Sequence, residues 1–125
     1  MTEKQYGVLP FISDSKSKKK VVLISSCENK KWIVPKGHKI NKRSKRDTAL
    51  QEAFEEAGIK GYIKRKKPLI FKIKSHGEKV TLVLYFMKVK ELLLLWPEKN
   101  KRKRKIVKLK KAKTMVTWQK LRDYL

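Results

Sequence analysis

Three carboxylates, Glu52, Glu55 and Glu56, stand within five residues of one another in a chain that is otherwise overwhelmingly basic. The segment around them reads as a helix from about Lys45 to Ala57. Ser44 is a suitable N-cap, with Asp47 three residues on in the position of a capping box. Gly58 follows as a left-handed stop. Ala49, Leu50, Ala53, Phe54 and Ala57 fall on one apolar face, and the glutamates gather on another, because residues three and four apart are neighbours on a helix. Like charges so placed repel unless a cation neutralises them. Glu52 and Glu56, one turn apart, could grip a single hard cation with Glu55 between them. Oxygen ligands suit Mg²⁺, or Mn²⁺ in its place, and Mg²⁺ usually completes its shell with water and substrate phosphate. Gly37 ends the strand before the helix, where a missing side chain would let a backbone carbonyl reach the same ion. The combination predicts a strand, loop and helix that hold Mg²⁺ against a diphosphate.

The elements needed to position these groups can be traced along the chain. Strands are expected at Tyr6 to Ile12, Val21 to Ser25, Trp32 to Val34, Ile59 to Ile63, Leu69 to Ile73 and Lys79 to Val89. Pro10 argues that the first is an edge strand or carries a bulge. Ser75-His76-Gly77-Glu78 reads as a hairpin turn. Residues 38–43 form a basic loop ahead of the helix. Leu92 to Leu95 is ambiguous between strand and helical turn. Ile106-Val107 suggests a short strand, and Lys110 to Val116 and Trp118 to Leu125 suggest helices, the second capped by Thr117.

Those residues also carry a specific resemblance. From Gly37 through Arg43 and Gln51-Glu52-Ala53-Phe54-Glu55-Glu56-Ala57-Gly58-Ile59, the sequence resembles the Nudix box. That box is a glycine, five residues, a glutamate, seven residues, then Arg-Glu-apolar-x-Glu-Glu-x-Gly-apolar. Glu52, Ala53, Glu55, Glu56, Gly58 and Ile59 are in register. Arg43 stands where the first glutamate is usual and Gln51 where the arginine is usual. The two departures remove opposite charges together, and an Arg43–Gln51 pairing, or Arg43 on one of the glutamates, would take over their orienting role. Trp32-Ile33-Val34-Pro35-Lys36-Gly37 is similar to the lead-in of the diphosphoinositol polyphosphate phosphohydrolase-like group. Trp96-Pro97-Glu98 with Arg102 and Arg104 resembles that group's C-terminal pattern.

The resemblance implies an α/β fold, a Nudix-type α/β/α sandwich with a mixed, curved sheet, formed by residues 1–125 as one domain. It implies Glu52 and Glu56 as metal ligands with the Gly37 carbonyl, and Glu55 as the general base. Lys36, Lys39 and Arg43 would bind substrate phosphates, arginine bidentately. Glu98 would be a more distant carboxylate near the metal. The implied activity is Mg²⁺-dependent cleavage of a diphosphate linkage in a polyphosphorylated small molecule. The alternative is a basic module that keeps the fold and binds nucleic acid or another polyanion without turnover.

Composition is compatible with either. The 125 residues include 35 lysines and arginines against 11 aspartates and glutamates, a net charge of +24. So positive a field attracts polyanions. Only 6 of the basic residues are arginine, and a lysine-biased codon usage would scatter charge in the same way. No apolar run approaches the roughly 18–20 residues that span a bilayer. The apolar patch Tyr6 to Ile12 lacks a basic leader and is short for a signal sequence, so the expectation is a cytoplasmic protein without membrane partners. Cys27 is the one cysteine, which excludes an internal disulfide, and packing at a strand end is its expected role. His38 reads as an exposed loop residue, His76 as part of a turn, and Trp32 and Trp96 as packing residues.

Overall fold

The first strand, β1 (Glu3–Ser13), lies at the centre of the sheet. The computed structural model describes residues 3–13, 19–27 and 31–125. After β1 come β2 (Lys19–Ser25), β3 (Trp32–Ile33), β4 (Lys36–His38), α1 (Lys45–Ala57), β5 (Ile59–Ile63), β6 (Leu69–Ser75), β7 (Glu78–Leu92), β8 (Arg104–Lys108), α2 (Leu109–Met115) and α3 (Gln119–Tyr124). β1 runs parallel to β7 and antiparallel to β2 and β4. β7 carries β5 and β6 antiparallel on its other side, and β2 carries β3 and β8. The sheet is therefore mixed.

The apolar alternation along these strands fills two cores, one on each face. Val8, Val22, Ile24, Tyr85, Met87 and Val89 pack against Ala49, Ala53 and Ala57 of α1. Leu9, Val21, Leu23, Leu82, Leu84 and Phe86 pack against Ala112, Val116 and Leu121 of α2, the linker and α3. Alternate residues of a strand point to opposite faces, so β1, β2 and β7 each serve both layers. This is the expected α/β/α arrangement.

Pro10 does not mark an edge: it pairs in register with Met87 inside the sheet. On its other flank β1 changes partner, from β4 at Gln5 to Gly7 to β2 at Phe11 to Ser13. Val8 donates its N–H to the Pro35 carbonyl on that flank, and Pro10, two residues on, faces the same way. The missing N–H thus falls in the gap between two partners, where no ladder bond is lost.

Other boundaries moved for local reasons. Gly37 lies inside β4 rather than at the end of β3, paired with Tyr6. Thr117 does not cap α3; its N–H donates to the Trp32 carbonyl, and Trp118 occupies the N-cap position without a side-chain bond. Cys27 is exposed rather than packed. The hairpin is as expected: Ser75 pairs with Glu78, and His76 and Gly77 both have positive φ, 52° and 79°, as a two-residue type I′ turn requires. Leu92 ends β7, and Leu94 and Leu95 follow as exposed residues in a bend. The Ser- and Lys-rich stretch Asp14 to Lys20 reads in sequence as a polar loop and Ser26 to Lys30 as a turn; β2 already begins at Lys19, and residues 14–18 and 28–30 lie outside the described residues.

Candidate active site

The helix that bears the glutamates is fixed at both ends. Ser44 Oγ accepts the Asp47 N–H at 3.1 Å. At the other end Gly58 takes φ 63°, returning its N–H to carbonyls of the last turn. Arg104 Nη1 donates to the Ala57 and Gly58 carbonyls at 3.0 and 3.2 Å. A cation there complements the negative end of the helix dipole. The Trp96 ring lies against Gly58, where any Cβ would overlap it, and its Nε1 donates to the Glu56 carbonyl at 3.2 Å. Arg104 in turn stacks on Trp96, 4.2 Å from the ring centroid.

With α1 fixed, Glu52 projects onto β4. A Cβ at Gly37 would overlap the Glu52 carboxyl group, so glycine is required there to admit that side chain. Gly7 on β1, opposite Lys36, admits the Pro35 carbonyl in the same manner. Glu56 is buried, with 6% of its surface exposed. Its Oε1 accepts the Lys36 backbone N–H at 3.0 Å, and its Oε2 lies 3.4 Å from Arg102 Nη2. The Glu52 and Glu56 carboxyls lie close enough to perturb each other's ionisation. Burial pushes the carboxyl pKa of Glu52 upward, and the neighbouring charge of Glu55 adds to this. Glu56 is pushed up by burial too, against the Arg102 charge that opposes it, and with Glu52 adding repulsion. Two desolvated carboxyls that share a site cannot both ionise without a cation between them.

Glu55, half-buried, accepts a hydrogen bond from Gln51 Nε2 at 3.0 Å. Gln51 therefore orients Glu55 and does not pair with Arg43. The Arg43 side chain is exposed and makes no hydrogen bond or ion pair among the described residues. The expected Arg43–Gln51 link is replaced by buried Thr48, whose Oγ1 accepts the Ile40 N–H at 3.1 Å and ties the loop to the helix. Lys39 is exposed, with Nζ turned to the Ile40 carbonyl at 3.3 Å. Lys36 Nζ donates to Gln5 Oε1 at 2.7 Å, and burial lowers its pKa. The ring of exposed His38 lies 3.2 Å from Glu3.

The residue that sequence reasoning left without a role is Arg102. Its Nε donates to Glu98 Oε1 at 2.8 Å, its Nη1 to the Ser25 carbonyl at 3.1 Å, and Nη2 reaches Glu56. One guanidinium thus joins the end of β2, the turn after Trp96 and the acidic pair. Burial would lower its pKa, but Glu56 and Glu98 more than offset this. Glu98, expected near the metal, is tied to Arg102, and its charge acts on both Glu52 and Glu56. The spacing Glu98 to Arg102, one helical turn, was the available signal.

Lys36 and Arg102 also line an open cleft of about 380 Å³, together with Lys31, Lys74, His76 and Trp118. The acidic pair thus lies directly behind two residues of a cationic cleft. Of the expected phosphate ligands, Lys36 lines this cleft, and Lys39 and Arg43 do not. No group of three His, Cys, Asp or Glu side chains placed to hold an ion together occurs among the described residues. The donor set is two carboxylates, which suits a cation that takes its remaining ligands from backbone, water and phosphate.

No protein-family model matches the chain. Among curated proteins it is 31% identical over 110 residues to Nudix hydrolase 13, mitochondrial, of Arabidopsis thaliana, covering 79% of this chain and 54% of that protein. It is 34% identical over 99 residues to Nudix hydrolase 16, mitochondrial, of the same plant, covering 74% and 55%. The chain spans about half the length of these relatives. Its fold superposes on the crystal structure of the Caenorhabditis elegans Ap4A hydrolase with a TM-score of 0.81 at 18% identity, covering 98% of this chain and 92% of the other. The chain is thus similar in sequence to Nudix hydrolases over about three-quarters of its length and has the Nudix fold.

Proposed function

We propose that the protein is a Mg²⁺-dependent hydrolase that cleaves a diphosphate linkage in a polyphosphorylated small molecule. The observation that carries this reading is the Glu52–Glu56 pair, with Glu56 buried and Glu52 packed onto Gly37, behind Lys36 and Arg102 of a cationic cleft. Glu52 and Glu56 would hold the ion, with the Gly37 carbonyl as a further ligand; Mn²⁺ would serve in its place. Such an ion, held there, would supply neutralisation of phosphate charge and a more acidic water. Arg102 and the Lys36 backbone N–H fix the Glu56 carboxylate, so its orientation does not depend on substrate. Glu55, oriented by Gln51, takes the proton of the attacking water as the new P–O bond forms and the bridging P–O bond breaks. Lys36 in the cleft wall, with Lys39 and Arg43 on the adjoining loop, would meet the substrate's phosphates. Phosphoryl transfer needs this positioning and charge neutralisation more than covalent help.

Diphosphoinositol polyphosphates, dinucleoside polyphosphates and nucleoside diphosphate derivatives all suit a cleft lined by Lys31, Lys36, Lys74 and Arg102. The fold likeness to an Ap4A hydrolase supports the second of these. We read the location as cytoplasmic; no helix among the described residues is long and apolar enough to cross a membrane. The test is phosphate or nucleotide release from a panel of these substrates, with and without Mg²⁺. Release that needs the ion and falls about 10²–10⁴-fold in Glu55→Gln is expected. Indifference to both would leave the polyanion-binding module as the better account.

A further inference from the structure

Beyond the cleft, the segment that supplies Arg102 and Arg104, a turn over residues 97–101 leading into β8, has a second aspect. Arg102 and Arg104 turn inward, onto Glu56 and the end of α1. The residues between and around them, Lys99, Lys101, Lys103 and Lys105, are all exposed. None of the four has a carboxylate partner among the described residues. Lys99, Lys101 and Lys103 line a cavity of about 330 Å³ whose wall includes Trp32. Lys105 stands over the Trp32 ring, 5.0 Å from its centroid. The cavity shares Ser26, Cys27 and Arg102 with the cationic cleft, so the two are continuous.

Lys99 and Lys101 lie on the turn over residues 97–101, and Lys103 and Lys105 on the stretch that runs from it into β8. Residues two apart in an extended chain point the same way about 7 Å apart, so Lys103 and Lys105 are spaced like one nucleotide step of a stretched single strand, and the turn brings Lys99 and Lys101 to the same cavity. Exposed cations gathered on one face attract an anionic chain, and the half-buried aromatic ring beside them offers a stacking surface for a base. A compact anion would use a cluster of cations and has no use for the ring.

We propose that Trp32, Lys99, Lys101, Lys103 and Lys105 form a binding surface for single-stranded nucleic acid. The backbone lies along the lysines, and a base displaces the Lys105 ammonium from the face of Trp32. The surface does not include the glutamate pair, and its binding of nucleic acid does not depend on the hydrolase reading.

The test uses the full chain in EDTA, so that hydrolysis plays no part, and follows fluorescence anisotropy of an oligouridine of about 12 nucleotides. Lys101→Gln/Lys103→Gln/Lys105→Gln is compared with Lys60→Gln/Lys72→Gln/Lys90→Gln. The second set removes the same charge from exposed lysines of β5, β6 and β7, toward the other side of the sheet. The first triple variant is expected to bind at least about tenfold more weakly, with the slope of log Kd against log salt reduced by about 2 between about 50 and 200 mM. The control should change less than about threefold. Trp32→Leu should weaken oligouridine binding severalfold and leave the binding of inorganic polyphosphate unchanged. Equal losses in the two triple variants, or no effect of Trp32→Leu on oligouridine, would overturn the proposal. Circular dichroism of each variant ensures that folded protein is compared.

Discussion

Gly37 and Glu56 show how single residues define the site. At Gly37 the requirement is space, since the Glu52 carboxyl occupies the volume a methyl group would take. Gly37→Ala should therefore displace Glu52, and because a shift of about 1 Å can cost about 10²-fold, hydrolysis should fall by roughly that factor. The circular dichroism spectrum should stay native. Glu56 is constrained by charge. Glu56→Gln keeps an acceptor for the Lys36 N–H but removes a buried group that resists ionisation. Mg²⁺-dependent hydrolysis should be lost, with thermal stability at pH 8 in EDTA unchanged or higher. A fall of several degrees in Tm, with activity retained, would show that Glu56 serves the fold instead. Glu52, Glu55 and Glu56 were legible in the sequence because helical spacing alone brings them together. For Arg102 only the pairing with Glu98 had a local signal, since its other partners lie 46 and 77 residues away at Glu56 and Ser25. No local pattern encodes contacts across such separations.

At the scale of elements, α1 carries the site only as well as its two ends are held. Ser44→Ala removes the cap bond to Asp47 and should cost about 1 kcal/mol, read as a lower denaturant midpoint with unchanged slope. Gly58→Ala should cost more. It forces a side chain into the left-handed region, a penalty of roughly 1–2 kcal/mol, and drives its Cβ into the Trp96 ring. Activity should suffer with it, because Trp96 and the backbone N–H of Glu98 bind the carbonyls of Glu56 and Glu55. The cap and stop were readable from residue type, as Ser44 and Gly58 are each the usual solution to a terminal backbone group. That Trp96 closes on Gly58 depended on how the 96–101 turn returns to the helix.

For the whole molecule the governing quantity is buried negative charge in a strongly positive chain. A carboxyl whose folded pKa lies above its unfolded value takes up protons on folding. Its contribution favours the folded state at low pH and is lost as pH rises through the folded pKa. Burial raises both Glu52 and Glu56. In EDTA, stability should therefore decline as pH rises from the ordinary carboxylate range into the neutral range. Mg²⁺ should displace protons held by these carboxyls, so the rise in Tm it causes should be larger at pH 8 than at pH 5.5, with protons released on binding. Calorimetry in two buffers of different ionisation enthalpy would measure that release. An equal Mg²⁺ effect at both pH values would mean that the ion does not displace protons from this pair.

The sequence by itself determined the acidic helix, its cap and stop, the β-hairpin at His76-Gly77 and the need for a glycine before the helix. Each follows from residue type and short-range spacing, where backbone geometry leaves few options. Only the tertiary structure decided that Pro10 sits inside the sheet, in the gap between two partners of β1. It also decided that Thr48 rather than Arg43 fastens the loop, and that Lys36 lines the cleft while Lys39 and Arg43 stay outside it. Those outcomes depend on which strands become neighbours and which charged groups lose water together. Both are properties of the assembled chain, and neither is encoded in any short stretch of it.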